Sequence, residues 1–489
     1  MSGEWRVVLT RRGLPRLSEL LPGVAVPGVA GDDLDAWLDE RDVSEGMPFL
    51  ISPALEYDIS LNRYFLAPVM AGAAQNTRLA AAGDLCRFLR FLHECQGGRS
   101  WRDAGEDDHA AYLHWRRFDP AGPRVAASTW NRELAMVGAF FAWAVRQGLV
   151  GGNPVAMRAG RDQGRRRADG GAQVPAARAR DGAGDRVEWL TPGQYRLWRD
   201  CGLRGYQADG LPDGGFRGRW ASRNALFADV VVRTGLRLAE QASLTVLEVP
   251  HGPAGQGYER FWLPGAMAKN ESARWVYLPA ALARKTGQYI AADRAAVVAA
   301  ARARGAYDAL GGTLVIEDPG LGPRAVARRP GEGGPGVRLE RLTPAERARL
   351  LVRMPGGLEP AVLWLGEHGM PVSLSGWKDI FRTASARCQR AGVPVTCHPH
   401  MLRHTFAVAT LEQLQRGHIA ELAAMTAGQR GEYQRIFGDP LDWVRRRLGH
   451  RSAATTLKYL HVLQELEMET RMALIPDDWE PAPSPGVAP

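Results

Sequence analysis

One stretch of this chain cannot form part of a hydrophobic core, and it therefore divides the sequence in two. Residues 155–187 are mostly glycine, alanine and arginine, with almost no large apolar side chain. Such a composition cannot bury enough apolar surface to offset the entropy that is lost on folding. We therefore predict a basic, flexible linker at residues 156–188, with a folded domain on either side of it.

The length and composition of the chain are ordinary for a soluble protein of several domains. Its 489 residues, 45% hydrophobic and 24% charged, leave room for two or three cores. No apolar run is long enough for a membrane helix, and the first residues lack the apolar core of a signal peptide. Five scattered cysteines favour a reduced, cytoplasmic protein. A net charge of +9 suits a polyanionic partner without specifying one.

Upstream of the linker, the pattern predicts a small helical domain at residues 61–155. Apolar residues recur at helical spacing over 79–92, a second helix is expected at 107–115, and a third starts at Ser128, a candidate N-cap. We interpret the aromatic residues of the third helix as core. Residues 1–60 contain many prolines and glycines and are predicted to be an N-terminal extension or arm.

Downstream of the linker, we predict a larger domain at residues 189–472. Thr191 and Pro192 are typical of a helix start, as N-cap and first helical residue. A hairpin-like segment is expected between about 260 and 278, where apolar and polar residues alternate. The chain ends in a Pro-rich tail at residues 473–489.

Four short motifs follow one another along this larger domain. Their polar residues are Arg237 and Glu240, Lys269 and Arg274, His400 and Arg403, and His450 and Tyr459. Lys269 is one of only four lysines in a chain rich in arginine, so composition bias would have placed arginine there. Unlike arginine, a lysine can act as a titratable proton donor. A helix that starts near Pro399 would place His400 and Arg403 on one face.

In this order and spacing, the motifs resemble the catalytic boxes of the tyrosine recombinases, the phage-integrase family, which cut and rejoin DNA through a phosphotyrosine. The run from Ser128 to Leu134 also looks like the core-DNA-binding domain of that family. The resemblance implies a mainly α fold with a small antiparallel β-sheet in the catalytic domain (α+β), with a helical N-terminal core-binding domain and a C-terminal catalytic domain. Residues of about 291–360 and 411–439 are expected to be insertions, the first a surface excursion.

The resemblance also implies a role for each residue of the motifs. Tyr459 would be the nucleophile that forms a 3′-phosphotyrosyl bond, which divides cleavage and rejoining into two exchanges. Arg237, Arg403 and His450 would hold the phosphate and neutralise the charge that builds up on it. Such neutralisation by arginine requires neither a metal nor a cofactor.

Three further roles concern protons and orientation. The phenol of tyrosine has an ordinary pKa near 10, so that the nucleophile needs a base, for which His400 is the candidate. Lys269 would be the general acid that protonates the departing 5′ oxygen. Glu240 would orient or stabilise the site.

The expected partner is double-stranded DNA with specific recombination sites, bound by a homotetramer, with no membrane involved. The candidate DNA contacts are Asn131, Arg132, Arg165, Arg166, Arg167 and Arg274. The basic linker is expected to add salt-dependent phosphate contacts. A bacterial, cytoplasmic protein that is associated with the nucleoid when it binds DNA fits this assignment.

Three other interpretations were weighed. Cys397, His398, His400 and His404 lie close enough in sequence to suggest a metal, but a zinc-protease motif needs glutamate where Met401 stands. We therefore interpret His398 and His404 as structural. A type IB topoisomerase shares the chemistry without needing two DNA sites, and an inactive relative would only bind DNA.

Overall fold

The computed structural model describes residues 3–14, 34–41, 43–159, 173–179, 187–251, 257–308, 310, 313–331, 334–423, 425 and 439–472. The chain forms two compact units, residues 1–184 and 185–489. Each unit has its own hydrophobic core, and helices predominate over small sheets in both. The predicted mainly α fold of the α+β class is therefore confirmed.

The first unit consists of helices with two small two-stranded sheets. Its elements are β1 (Arg6–Leu9), α1 (Leu34–Asp39), β2 (Pro48–Ile51), α2 (Ile59–Leu66), α3 (Pro68–Ala71), α4 (Gln75–Cys95), α5 (Glu106–Arg117), α6 (Ala127–Arg146), β3 (Met157–Ala159) and β4 (Gln173–Pro175). Both strand pairs, β1 with β2 and β3 with β4, are antiparallel. The first predicted helix corresponds to α4, whose apolar face is buried.

The N-terminal segment is part of this unit rather than a separate arm. Leu50 of β2 is fully buried in the core, and its backbone N–H and C=O bond the side chain of Asn62 at 2.7 and 2.9 Å. The carbonyl of Trp5 accepts a hydrogen bond from Arg90 of α4 at 2.8 Å. The expectation of an arm at residues 1–60 thus needs correction for its described parts, because Val43, Met47 and Leu50 are buried in the helical core.

Helix α6 differs from its prediction at its first residue. It begins at Ala127 with Ala126 as N-cap, so Ser128 lies inside the helix. Trp130, Phe140 and Phe141 are fully buried, as expected for core aromatics. Glu133 is buried on the same helix and accepts a hydrogen bond from Arg116 at 2.8 Å, which neutralises its charge within the core.

The described parts of the predicted linker are ordered against the first unit. The amide group of Asn131 bonds the backbone N–H and C=O of Ala179, both at 2.9 Å, and the indole of Trp130 donates to the carbonyl of Ala177 at 2.8 Å. Flexibility is therefore the wrong description for residues 157–159 and 173–179. The Gly- and Arg-rich residues between them lie outside the described part of the chain.

The second unit carries most of the helices and a separate sheet. Its elements are α7 (Pro192–Trp198), α8 (Ala221–Thr234), α9 (Leu238–Ala242), β5 (Tyr258–Leu263), β6 (Arg274–Pro279), α10 (Ala280–Tyr289), α11 (Ala295–Ala303), β7 (Val315–Ile316), β8 (Val326–Arg328), β9 (Val337–Arg338), α12 (Pro344–Arg347), β10 (Leu351–Met354), β11 (Gly357–Pro360), α13 (Leu374–Arg390), α14 (Pro399–Ala423), α15 (Pro440–Leu448) and α16 (Ala454–Met472). Strands β5 and β6 form the predicted antiparallel hairpin.

The core of the second unit is built around large aromatic rings. Phe227 of α8 stacks on Trp377 of α13 with 3.5 Å between ring centroids, and Trp364 meets both rings edge-on. At the edge of this core, Thr191 caps α7 as predicted, since its hydroxyl accepts from the N–H of Gln194 at 3.2 Å. The packed rings fix α8, which leads directly into the first of the predicted catalytic motifs.

The segment expected to be a surface excursion at about 291–360 is a folded subdomain. Its five strands form a sheet of order β11-β10-β7-β8-β9, in which only β10 and β7 run parallel. The side chain of Arg347 is fully buried and pairs with Glu248 at 2.6 Å. Because an unpaired charge there would be costly, this ion pair fixes the subdomain to the rest of the second unit.

The second expected insertion, at 411–439, is helical in its described part. Residues 411–423 continue α14 without interruption, and Leu411 is fully buried. Helix α15 then begins after Asp439, whose carboxylate accepts from the N–H of Leu441 at 2.8 Å. The residues between 426 and 438 lie outside the described part.

Candidate active site

A sharp break after α8 positions Arg237. Gly235 follows the helix with φ of +67°, a conformation that favours glycine, and a Cβ on it would lie 2.3 Å from the ring of Phe406. Arg237 then begins α9, where the carboxylate of Glu240 accepts from its backbone N–H and from its guanidinium, both at 2.9 Å. Only glycine lets the chain turn here in contact with α14.

Glu240 joins two arginines from different motifs. Its side chain is 1% exposed, and Arg274 of β6 donates to it at 2.6 Å. Burial acts to raise the pKa of Glu240, but the guanidinium groups of Arg274, Arg403 and Arg237 outweigh it and lower the pKa. Arg274, predicted to contact DNA, is itself only 6% exposed in its side chain and is held by Glu240, so the structure places it in the support of the site.

Arg403 links the first and last motifs through α14. This helix starts at Pro399, as predicted, and Arg403 is 1% exposed. One guanidinium nitrogen donates to the carbonyl of Gly235 at 2.5 Å. The other donates to the carbonyl of Leu448 and lies 3.4 Å from Nε2 of His450. Arg403 therefore fixes the two loops that carry Arg237 and His450 against one helix.

His450 is positioned by a second left-handed glycine. Gly449 ends α15 with φ of +64°, and a Cβ there would lie 2.8 Å from the hydroxyl of Ser272. Nδ1 of His450 lies 3.0 Å from the hydroxyl of Thr456, which leaves Nε2 facing Arg403. Burial, together with the charges of Arg403 and Arg237, lowers the pKa of His450 to about 3. The imidazole is therefore neutral at neutral pH.

Tyr459 lies on α16 and is 1% exposed. Its ring is nearly parallel to that of His450, with 6.4 Å between centroids and 13° between planes. Burial raises the pKa of Tyr459 to about 12, although Arg403 and Arg237 act in the opposite direction. The phenol is therefore protonated at neutral pH, and its hydroxyl lies 2.8 Å from Nδ1 of His404.

His404 is the site residue that the sequence analysis missed. The sequence predicts a structural role for His404 and a base at His400, but it is His404 that contacts the hydroxyl of Tyr459. The ring of His400 lies 4.3 Å from that of His404, one helical turn earlier. Burial, with charges that include Arg403 and Lys458, lowers the pKa of His400 to about 4. The one sequence signal that pointed to His404 was its i, i+4 spacing from His400, which places both imidazoles on the same face of the helix.

Lys269 lies on the turn between β5 and β6, as predicted, and its side chain is exposed. The neighbouring Asn270 adopts φ of +59°, and its carbonyl accepts from Arg451 at 2.7 Å. Since Arg451 follows His450 directly, this bond holds the turn of Lys269 against the last motif. Arg237, Arg403, His450 and Tyr459 are therefore linked by buried and half-buried contacts. His400 packs against His404 from an exposed position, and Lys269 is held through its turn.

The predicted DNA contacts of the first unit have partners within the chain. The amide of Asn131 is bound to Ala179, and Arg132 pairs with the buried carboxylate of Asp84 at 3.0 Å. The guanidinium of Arg132 remains 45% exposed, whereas Asn131 is engaged in the packing of the unit. Arg165, Arg166 and Arg167 lie outside the described residues.

No cluster of histidine, cysteine, aspartate or glutamate among the described residues could hold a metal ion. Within the same residues, every helix is too short or too polar to cross a membrane.

Residues 63–148 match the family model of the phage integrase N-terminal SAM-like domain. This match covers the helices α4 to α6 and confirms the relation that the run from Ser128 to Leu134 had indicated. Among curated proteins, no match is found.

Several solved structures are distantly similar to the chain. The integrase of transposon Tn1549, in complex with a circular intermediate DNA, is 13% identical with a TM-score of 0.46, and the match covers 82% of this chain and 93% of that one. The recombinase XerH, bound to a palindromic difH substrate, is 14% identical with a TM-score of 0.45, over 86% and 87% of the two chains. A lambda integrase dimer bound to a core site is 12% identical with a TM-score of 0.40, over 82% and 93%. Similarity at this distance assigns no residue a role.

Proposed function

We propose that this chain, as a member of the phage-integrase family of tyrosine recombinases, cleaves and rejoins double-stranded DNA at specific sites through a bond between Tyr459 and a 3′ phosphate. The observation that carries the proposal is the convergence of distant residues on one buried cluster. Arg403 bonds the loop of Arg237 and lies 3.4 Å from His450, whose ring faces that of Tyr459. Three groups that can bind phosphate would thus act together with Tyr459 as the proposed nucleophile.

The cluster has the charge that a phosphodiester requires. A nucleophile approaches this anion only when its charge is neutralised, and donors fixed in advance stabilise the pentacoordinate transition state most. Arg237 and Arg403 would hold the two non-bridging oxygens. Nε2 of His450 would donate to one of them after exchanging its contact with Arg403 for one with the phosphate, in the tautomer in which Nδ1 accepts from the hydroxyl of Thr456. Because Arg403 is bonded on two sides to the backbone, the clamp forms without large reorganisation.

The leaving group needs a proton in the same step. Lys269 is exposed on a turn that Arg451 holds beside His450. We propose that its ammonium approaches the phosphate bound in the cluster. It would protonate the 5′ oxygen as the bond to phosphorus breaks. The reverse transfer would activate the 5′ hydroxyl for rejoining.

Family membership extends the proposal to assembly and cellular context. We propose a homotetramer that acts on two DNA sites of a mobile genetic element, in the cytoplasm of a bacterium and at its nucleoid. No cofactor is required, because the arginines supply the neutralising charge.

A trapped covalent adduct tests the proposal directly. Purified protein is incubated with duplexes that tile the DNA on either side of its coding region, each with a nick that lets the cleaved strand dissociate. We expect an SDS-resistant protein–DNA adduct with the wild type and none with Tyr459→Phe. Tyr258→Phe is the matched control, since Tyr258 is 63% exposed and lies on β5.

Three outcomes separate the proposal from its alternatives. An adduct that persists in Tyr459→Phe would show that another residue is the nucleophile. DNA binding without an adduct from the wild type would support the inactive relative. Relaxation of a supercoiled plasmid that carries none of the tiled DNA would favour a type IB topoisomerase, which does not need two recombination sites.

A further inference from the structure

The hydroxyl of Tyr459 makes its hydrogen bond with a residue to which the motifs assign no role. Nδ1 of His404 lies 2.8 Å from this hydroxyl, within normal hydrogen-bond distance. Tyr459 is 1% exposed and His404 is 9% exposed, so that bulk water does not compete for the contact. A buried phenol and a buried imidazole thus face each other at the centre of the site.

The other two histidines of the site are directed elsewhere. Nδ1 of His450 is used by Thr456, and its Nε2 faces Arg403. His400 packs its ring edge-on against His404 at 4.3 Å between centroids. Among the described residues, His404 is therefore the imidazole placed to receive a proton from Tyr459.

We propose that His404 is the general base of the reaction, accepting the phenolic proton of Tyr459 at Nδ1 as the phenolic oxygen attacks phosphorus. This inference rests on the proposed function and reassigns the base from His400 to His404. In the step, the bond between the tyrosine oxygen and phosphorus forms while the bond from phosphorus to the 5′ oxygen breaks. The proton of Tyr459 goes to His404, and the 5′ oxygen takes a proton from Lys269. Rejoining reverses both transfers.

The electrostatics keep both partners neutral until DNA binds. Burial raises the pKa of Tyr459 to about 12, and burial together with His400, Lys458, Arg403 and His398 lowers the pKa of His404 to about 3. Nδ1 of the neutral imidazole can then accept the O–H of the phenol, with the ring proton on Nε2. A bound phosphodiester adds a negative charge that favours the imidazolium form and so raises the pKa of His404.

The charged and titratable groups around this pair come from several elements. His400 and Arg403 lie on α14 with His404, and Lys458 precedes Tyr459 on α16. Arg237, from the start of α9, and His398, just before α14, act on the pair through their charge. These groups are cationic or neutral, so none of them competes with His404 as an anionic base.

The pH dependence of cleavage distinguishes a base from a merely structural histidine. The rate of adduct formation is measured between pH 7 and 9 on an adduct-forming nicked duplex. His404→Asn keeps a hydrogen-bonding atom near the position of Nδ1 but cannot hold a proton. We expect a nearly flat wild-type profile and a variant slowed on the order of a hundredfold at pH 7. The variant rate should rise about tenfold per pH unit, because it depends on ionised tyrosine.

A matched control and chemical rescue complete the test. His461→Asn changes an exposed histidine of α16 two residues after Tyr459 and should leave rate and profile unchanged. His404→Ala opens space in which added imidazole should restore cleavage. DNA binding and thermal unfolding are measured for each variant, so that a folding defect is recognised.

The outcomes separate this proposal from the proposed function. If the wild type forms the adduct, and His404→Asn forms it at the wild-type rate with no dependence on pH, the role of His404 is overturned and the proposed function stands. Variants that bind DNA but are not rescued by imidazole, with no change in pH slope, would also overturn it. A wild type that forms no adduct would overturn the function and this role together.

Discussion

Removal of the buried carboxylate of Glu240 should destabilise the second unit strongly. Glu240 is 1% exposed in its side chain and bridges Arg274, which is 6% exposed, and Arg237, at 2.6 and 2.9 Å. Glu240→Ala leaves a buried guanidinium without its counter-ion, a change that costs roughly 3–5 kcal/mol. For a unit of this size, 1 kcal/mol corresponds to a shift of about 2 °C in Tm, so we expect a loss of roughly 6–10 °C.

The assay is thermal unfolding of the full chain, following the transition of the second unit, with Glu412→Ala as the control. Glu412 pairs with Arg416 at 2.7 Å on the surface of α14, where both side chains are at least 38% exposed. Such a helical pair contributes only about 0.3–0.5 kcal/mol. A Glu240→Ala shift no larger than that of the control would refute the role of Glu240 as the counter-ion of the site.

The lowered pKa of Glu240 also predicts how the stability of the folded chain changes with pH. The pKa of Glu240 is lowered in the folded chain, so the unfolded chain takes up the proton first as pH falls. The stabilisation is complete above the ordinary carboxyl range and is lost as pH falls toward the folded pKa. Glu240→Gln should remove this part of the acid sensitivity, and an unchanged slope of Tm against pH between 3 and 5 would contradict the assignment.

Two further predictions concern the loops of the site. Gly235→Ala places a Cβ at φ of +67° and 2.3 Å from the ring of Phe406. We expect it to lower the free energy of unfolding, measured by thermal unfolding, by about 2–4 kcal/mol. The control Gly417→Ala on α14, where a Cβ meets nothing within 4 Å, should be neutral or stabilising. Lys269→Ala should slow adduct formation by roughly 10²–10⁴-fold on normal DNA. A substrate with sulfur in place of the 5′ bridging oxygen should restore the rate of the variant, because a thiolate leaves without a proton. An equal defect on both substrates would exclude Lys269 as the acid.

Much of the site could be predicted because its residues lie in short local motifs. The break at Gly235, the start of α14 at Pro399 and the end of α15 at Gly449 follow from local rules for caps and left-handed glycines. The turn and strand around Lys269 follow from turn residues and alternation. These features depend on a few neighbouring residues, which is why sequence alone locates them.

What the sequence could not supply depends on contacts between distant residues. Whether a histidine on α14 meets Tyr459 is decided by the packing of α16, and spacing alone did not distinguish His404 from His400. As an arginine, Arg274 is of a residue type that commonly contacts DNA. It is buried, however, by its pairing with Glu240, 34 residues earlier. The attachment of the subdomain at 291–360 likewise depends on Glu248 meeting Arg347, 99 residues later. Local pattern contains no information on such pairings.

The positive charge of the site would stabilise the transition state of the proposed reaction more than a bound substrate. Among the described residues, the guanidinium groups of Arg237, Arg274 and Arg403 face the single carboxylate of Glu240, and the ammonium of Lys458 lies 5.3 Å from the ring centre of Tyr459. The surroundings of the neutral phenol therefore carry a net positive charge. A phosphodiester carries one negative charge, and the pentacoordinate phosphorane of the proposed reaction carries two. Because Glu240 fixes two of these arginines and backbone carbonyls fix the third, this charge is held in place before DNA arrives. A clamp of this kind stabilises the transition state more than the ground state, which is the condition for catalysis rather than tight binding alone.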